Sequence, residues 1–111
     1  MLIDWARVSE LKSEIGEEDF GEVIEIFLDE VEEELSQLTN HTNFATLEAP
    51  LHFLKGSALN LGFAEFSKYC QAGETAAAKG ENSPIDLAEI QAIYDRSKAE
   101  FLAALSADTA A

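Results

Sequence analysis

The sequence predicts an all-α fold: an antiparallel up-and-down four-helix bundle with a short additional N-terminal helix. Apolar residues recur at steps of three and four through four long segments, which is the spacing of one helix face. Glycine (6) and proline (2) are scarce, and valine, isoleucine and threonine form no alternating runs. Amphipathic helices joined by short connections can bury their stripes only against one another, as antiparallel neighbours. At 111 residues the chain is expected to form one domain, 1–111.

Asp4 can cap a first helix running to about Glu14, with Trp5, Val8 and Leu11 near one face and Gly16 as its end. From Glu18 to Leu38 the residues Phe20, Val23, Ile24, Phe27, Leu28, Val31, Leu35 and Leu38 mark the clearest helix in the chain. Its opposite face carries Glu22, Glu25, Asp29, Glu32 and Glu33, read as solvent-facing. Asn43 could cap a third helix whose inner stripe is Phe44, Leu47, Leu51, Leu54, Ala58 and Leu61. Pro50 interrupts that pattern, so the helix either kinks there or begins near it. Gly62 ends it and allows reversal into a fourth helix, about Ala64 to Lys79, with Phe66, Cys70, Gly73 and Ala77 inward. Ser83 as cap and Pro84 in the first turn start a fifth helix bearing Leu87, Ile90, Tyr94, Phe101 and Leu105; the run Ala103 to Ala111 reads as a fraying terminus.

The 22 acidic against 7 basic residues give a formal charge of −15, which repels nucleic-acid phosphates and an anionic membrane alike, so neither is an expected partner. A single cysteine, Cys70, allows no internal disulfide and no cysteine cluster for zinc; without a basic neighbour it reads as a small core residue. Charged residues in the opening run MLIDWARVSE and the lack of a long apolar stretch point to a cytoplasmic protein. In that setting the Asn40-His41-Thr42 sequon carries no meaning, and His41 reads as a surface histidine.

The chemistry is expected at His52. Counting 100° per residue sets it well away from the stripe of Leu47, Leu54, Ala58 and Leu61, so its imidazole should face water. Glu48, Lys55, Gly56 and Leu59 share its face. A glycine inside a helix costs about 1 kcal/mol relative to alanine, so Gly56 requires a packing or an approach reason. Leu59 suits a docking patch on an otherwise polar face. Neutral imidazole is a good nucleophile toward phosphorus. Lys55, one turn away, would disfavour the imidazolium and attract a newly attached phosphoryl group.

The run His52-Phe53-Leu54-Lys55-Gly56-Ser57-Ala58-Leu59-Asn60-Leu61-Gly62 closely resembles the signature of histidine phosphotransfer (HPt) domains, a histidine followed by x-Leu-Lys-Gly-Ser/Ala with a glycine closing the helix. A looser likeness extends from about Glu18 to Gly80 and takes in Phe63, Cys70 and Glu74; Pro50 and Leu51 depart from the small or basic residues expected before the histidine. The resemblance implies a helical bundle in a two-component phosphorelay. His52 would accept phosphate from a receiver-domain aspartate of a response regulator, or from a sensor histidine kinase, and hand it to another aspartate. It further implies Lys55 as electrostatic support, Gly56 as clearance for the partner and Gly62 as the turn; Glu48 and Leu59, on the same helix face as His52, are expected at the partner contact. No cofactor or metal is expected, since the receiver supplies the divalent ion, and a monomer is expected.

A kinase is not expected, because Gly16, Gly21, Gly56, Gly62, Gly73 and Gly80 never form a phosphate-binding loop. A di-iron bundle would need Glu-x-x-His, which neither histidine offers. The rival reading is an adaptor bundle that binds receivers without phosphotransfer.

Overall fold

The protein is described by a computed structural model covering residues 1–39, 47–81 and 86–110. Among the described residues are five helices and no strand: α1 Trp5–Ile15, α2 Glu17–Thr39, α3 Glu48–Leu61, α4 Ala64–Ala78 and α5 Leu87–Ala110. The Asp4 carboxylate accepts the Arg7 backbone N–H at 3.3 Å and so caps α1. Gly16 ends the helix at φ +97°, a left-handed value that lets the chain turn straight into α2.

On α2, Phe20, Ile24, Leu28, Val31, Leu35 and Leu38 are buried, while Glu18, Glu22, Glu25, Asp29 and Glu33 are exposed along the other side. Like charges at three- and four-residue spacing cost about 0.2–0.5 kcal/mol per pair. Each fully buried apolar side chain returns about 1.5–3 kcal/mol, so the inner stripe decides that this acidic segment is a helix.

The third helix begins at Glu48, which places Pro50 in its first turn, where amide N–H groups have no acceptor within the helix. The proline therefore removes no helical hydrogen bond, and Leu51 N–H donates to the Leu47 carbonyl at 3.0 Å. Asn43 and Phe44, assigned above to a longer form of this helix, lie outside the described residues, as do Ser83 and Pro84. The cap on α5 is instead Asp86, whose carboxylate accepts the Glu89 N–H at 3.0 Å. The C-terminal run does not end the helix early: α5 continues to Ala110, in keeping with the high helix propensity of its alanines.

The corner between α3 and α4 is clamped. Gly62 adopts φ +82° and its N–H points back to the Ala58 and Leu59 carbonyls. The Asp4 N–H donates to the Gly62 carbonyl at 2.7 Å, and Arg7 Nε donates to the Asn60 carbonyl at 3.2 Å. A Cβ on Gly62 would stand 2.8 Å from the Asp4 carbonyl oxygen and 3.0 Å from a Val8 methyl. Beneath the corner, Phe63 meets Phe101 edge-on at 5.5 Å and Tyr94 at 6.1 Å, joining α5 to the same core. Trp5, expected inward on α1, is 41% exposed and lies flat against Phe101 at 6.1 Å.

α5 is tied to α2 by a polar link. The buried Tyr94 hydroxyl donates to Glu32 at 2.8 Å, and Lys98 bonds the same carboxylate. The Lys98 hydrogen bond lowers the Glu32 carboxyl; burial opposes this, and the Tyr94 hydrogen bond and Lys98 charge reinforce it.

Two outcomes follow from these contacts. Gly62→Ala should lower stability by about 2–3 kcal/mol in urea unfolding, because the left-handed backbone and the Asp4 carbonyl both resist a side chain. For Glu32, a carboxyl lowered in the folded state contributes stability that is present above the unfolded value and lost as pH falls through the folded one. The Glu32 contribution should thus fade on acidification below 4.5. Protonation of the many other carboxylates relieves self-repulsion at the same time, so the measurement is a difference: thermal melts of the parent and Lys98→Ala should converge as pH drops.

Candidate functional site

α3 and α4 form the most extensively packed pair of helices, and a glycine permits it. A Cβ on Gly73 would lie 3.0 Å from a Leu51 methyl and 3.7 Å from the Ile90 Cδ1 atom, so α4 can sit this close only with no side chain there. Leu51 immediately precedes His52, and Gly73 immediately precedes Glu74. The close approach therefore delivers the Glu74 carboxylate to the histidine.

Glu74 holds two partners at once. His52 Nδ1 is 2.9 Å from Glu74 Oε2, and Lys55 Nζ is 3.0 Å from Glu74 Oε1. The three side chains differ in exposure: His52 is 69% exposed, whereas Lys55 and Glu74 are 18% and 16% exposed. Burial alone would raise the Glu74 carboxyl, but the hydrogen bonds and charges of Lys55 and His52 outweigh it and hold the group below the usual carboxylate range. Glu74 is accordingly an anion at neutral pH.

The tautomer follows from that charge. A carboxylate has no proton to give, so the 2.9 Å contact requires Nδ1 to donate. In the neutral ring Nε2 is then the unprotonated nitrogen and carries the free lone pair. An exposed imidazole fixed in this way can act as a nucleophile through Nε2.

The remaining residues singled out in the sequence lie on the same helix. Gly56 is exposed, and a Cβ built on it meets nothing within 4 Å, which removes packing as a reason for the glycine. Leu59 is 57% exposed and Glu48 is exposed; Ser57 is half-buried. Lys55 differs from the expectation in one respect: it bears on the imidazole through Glu74, the residue between them. Cys70, one turn before Glu74, is buried, and desolvation with the nearby Glu74 charge pushes its thiol up to about 12, so it stays protonated.

Comparison with known proteins shows the family. The model of the Hpt domain family matches residues 22–106, most of the chain and all of the site. The chain belongs to the Hpt domain family. It is also similar to the phosphorelay intermediate protein YPD1 of Candida albicans, with 37% identity over 75 residues, covering 63% of this chain and 41% of that protein. The chain thus spans less than half the length of this curated relative. No solved structure matches. The family match begins within α2 and leaves out α1, the helix that clamps the α3–α4 corner.

Glu74 is the member of the site that sequence reasoning did not assign. The sequence did mark Glu74 as part of the looser family likeness, but not as a site residue, because a residue 22 positions from His52 joins it only through helix packing. Phe53, next to His52 and outside the inner stripe, is 40% exposed.

The openness at Gly56 has a measurable consequence. Gly56→Ala should raise the stability of this Hpt chain by about 0.5–1 kcal/mol in denaturant unfolding, since alanine is the better helix former and meets no neighbour.

Proposed function

We propose that the chain carries a phosphoryl group on His52 and exchanges it with receiver-domain aspartates in a two-component phosphorelay fed by a sensor histidine kinase. The observation that carries this reading is the exposed imidazole whose Nδ1 is committed to Glu74, leaving Nε2 as the nucleophile. In the accepting step the Nε2 lone pair forms a bond to phosphorus while the P–O bond to the receiver aspartate breaks and the carboxylate leaves with its electrons. The return step reverses these movements.

Lys55 supports the site by lowering the Glu74 carboxyl and by attracting the phosphoryl charge from one turn away. Gly56 gives a receiver's active site room to approach, and Leu59 and Glu48 flank it as contact residues. In this reading the chain is a phosphocarrier with no ATP chemistry or cofactor of its own, and the receiver contributes the metal. It works as a single monomeric unit, 1–111, in the cytoplasm. The Hpt family match and the similarity to a phosphorelay intermediate protein support the assignment; among the described residues no helix is long and apolar enough to cross a membrane.

The test is direct. Incubated with a phosphorylated receiver, the parent should gain acid-labile, alkali-stable label, and His52→Gln should gain none. Gly56→Gln, a helix-compatible but bulky replacement, should keep the fold while transfer slows by about tenfold or more. A parent that binds receivers yet takes up no label would favour the adaptor reading instead.

A further inference from the structure

We infer that the cleft where α1 meets the end of α5 is a docking surface for a basic amphipathic helix of a partner protein, which seats one large apolar side chain in it. The cleft measures about 250 Å³. Its floor is the buried Val8 and Phe20, and its apolar walls are Trp5 of α1 and Leu105 of α5. Ser9 and Ala104 complete the two walls, and Lys12 stands at the rim.

Trp5 is the residue out of place. Spacing put it inward, yet it is 41% exposed, with its indole flat against Phe101 while it also lines the cleft. Leu102, one turn before Leu105, adds a second exposed apolar side chain to the α5 edge. A cavity of roughly 150 Å³ admits a benzene ring, so this cleft has room for a leucine or an aromatic side chain. Two helices as walls favour a third helix as the visitor, laid along the groove with its apolar stripe inward.

Charge selects among visitors. Residues 4–19 hold six acids, Asp4, Glu10, Glu14, Glu17, Glu18 and Asp19, against two bases, Arg7 and Lys12. Both bases are answered from within: Arg7 bonds Glu10 at 3.1 Å and reaches Glu14 at 3.6 Å, and Lys12 lies 3.8 Å from Glu17. The rim is therefore negative, on a chain that carries −15 in all. A second copy, a nucleic acid and an anionic membrane are each repelled, whereas lysines or arginines flanking an apolar stripe are attracted.

The cleft is separate from the chemistry at His52. Trp5, Val8, Ser9, Lys12 and Phe20 all precede residue 22, where the Hpt family match begins. Val8 packs at the Gly62 corner, and ten residues of α3, about 15 Å of helix, lie between that corner and His52. A partner held there leaves the imidazole open to a receiver, so the cleft fits a tether and not a competitor for the site.

Trp5 is the only tryptophan in the chain, so its fluorescence reports on the cleft alone. The probe is a synthetic helix of about 14 residues, free of tryptophan, with leucine at i, i+3, i+4 and i+7 and lysine elsewhere. Added to the full chain, it should shift Trp5 emission to the blue in a saturable way, with half-saturation moving to higher peptide concentration as salt is raised. Ala104→Phe and, from the α1 wall, Ser9→Phe fill the cleft without changing charge, and each should weaken binding about tenfold. A peptide of the same charge with serine in place of leucine should leave the emission unchanged. No saturable shift with the leucine peptide overturns the docking surface, as does an equal shift with the serine peptide, or a filled variant that is folded by circular dichroism and binds as the parent does. Emission that changes on diluting the chain alone would give the cleft to a second copy, and a shift with phosphatidylserine vesicles would give it to a membrane; either result overturns the assignment to a basic helix.

Discussion

One carboxylate organises the site. Glu74 accepts from His52 and from Lys55 at the same time: both contacts lower its carboxyl against the opposing effect of burial, and the ionised acid fixes the histidine tautomer. Alone on a helix surface, an imidazole samples both tautomers and many ring orientations. Here one nitrogen is engaged from below by α4, and the other remains for chemistry. The cost of holding a carboxylate at 16% exposure is offset because both of its oxygens have donors.

That arrangement is an outcome of backbone packing more than of local sequence. Glu74 reaches α3 because Gly73 lets the two helices close on Leu51, and the register between them is set farther along by the Gly62 corner. The corner is in turn gripped by the segment leading into α1, through Asp4 and Arg7, and backed by Phe63 against Phe101 and Tyr94. The Tyr94 and Lys98 link to Glu32 then joins the far side of the bundle to the helix that carries the acidic face. A chain of short-range fits thus runs from the N-terminal cap to the imidazole.

The periodic features were legible in the sequence because they depend on one helix at a time. The inner stripes of α2, α3 and α4 are read from spacing, and burial of Ile24, Leu54 and Phe66 follows from it. Features that require two helices were less legible. Lys55 pointed toward His52 when only α3 was considered, and it takes α4 to show that the ammonium meets Glu74 first. The start of α5 was misread for a related reason: several residues of a polar stretch can cap, and the described cap is Asp86, whereas the Asp4 cap of α1 and the start of α4 at Ala64 stand as read. Pro50 left two readings open because a proline is costly only after the first turn, and the start of α3 at Glu48 puts it within that turn.

Glycine shows how far residue type alone can be trusted. Gly62 is demanded by the fold, since its backbone is left-handed and the Asp4 carbonyl fills the space a side chain would need. Gly73 is demanded by packing against Leu51. Gly56 is demanded by neither: its backbone is ordinary helix and the space above it is empty, so the chain bears a helix-propensity cost with no return inside the molecule. The missing side chain leaves room for another molecule to approach the helix at that turn. The residue one turn before Gly56 is His52, with its lone pair on Nε2, so the open backbone and the proposed nucleophile share one face. Gly21 on α2 is exposed and equally free of neighbours, so an open glycine marks nothing by itself; what distinguishes this face is that its open glycine lies one turn from His52.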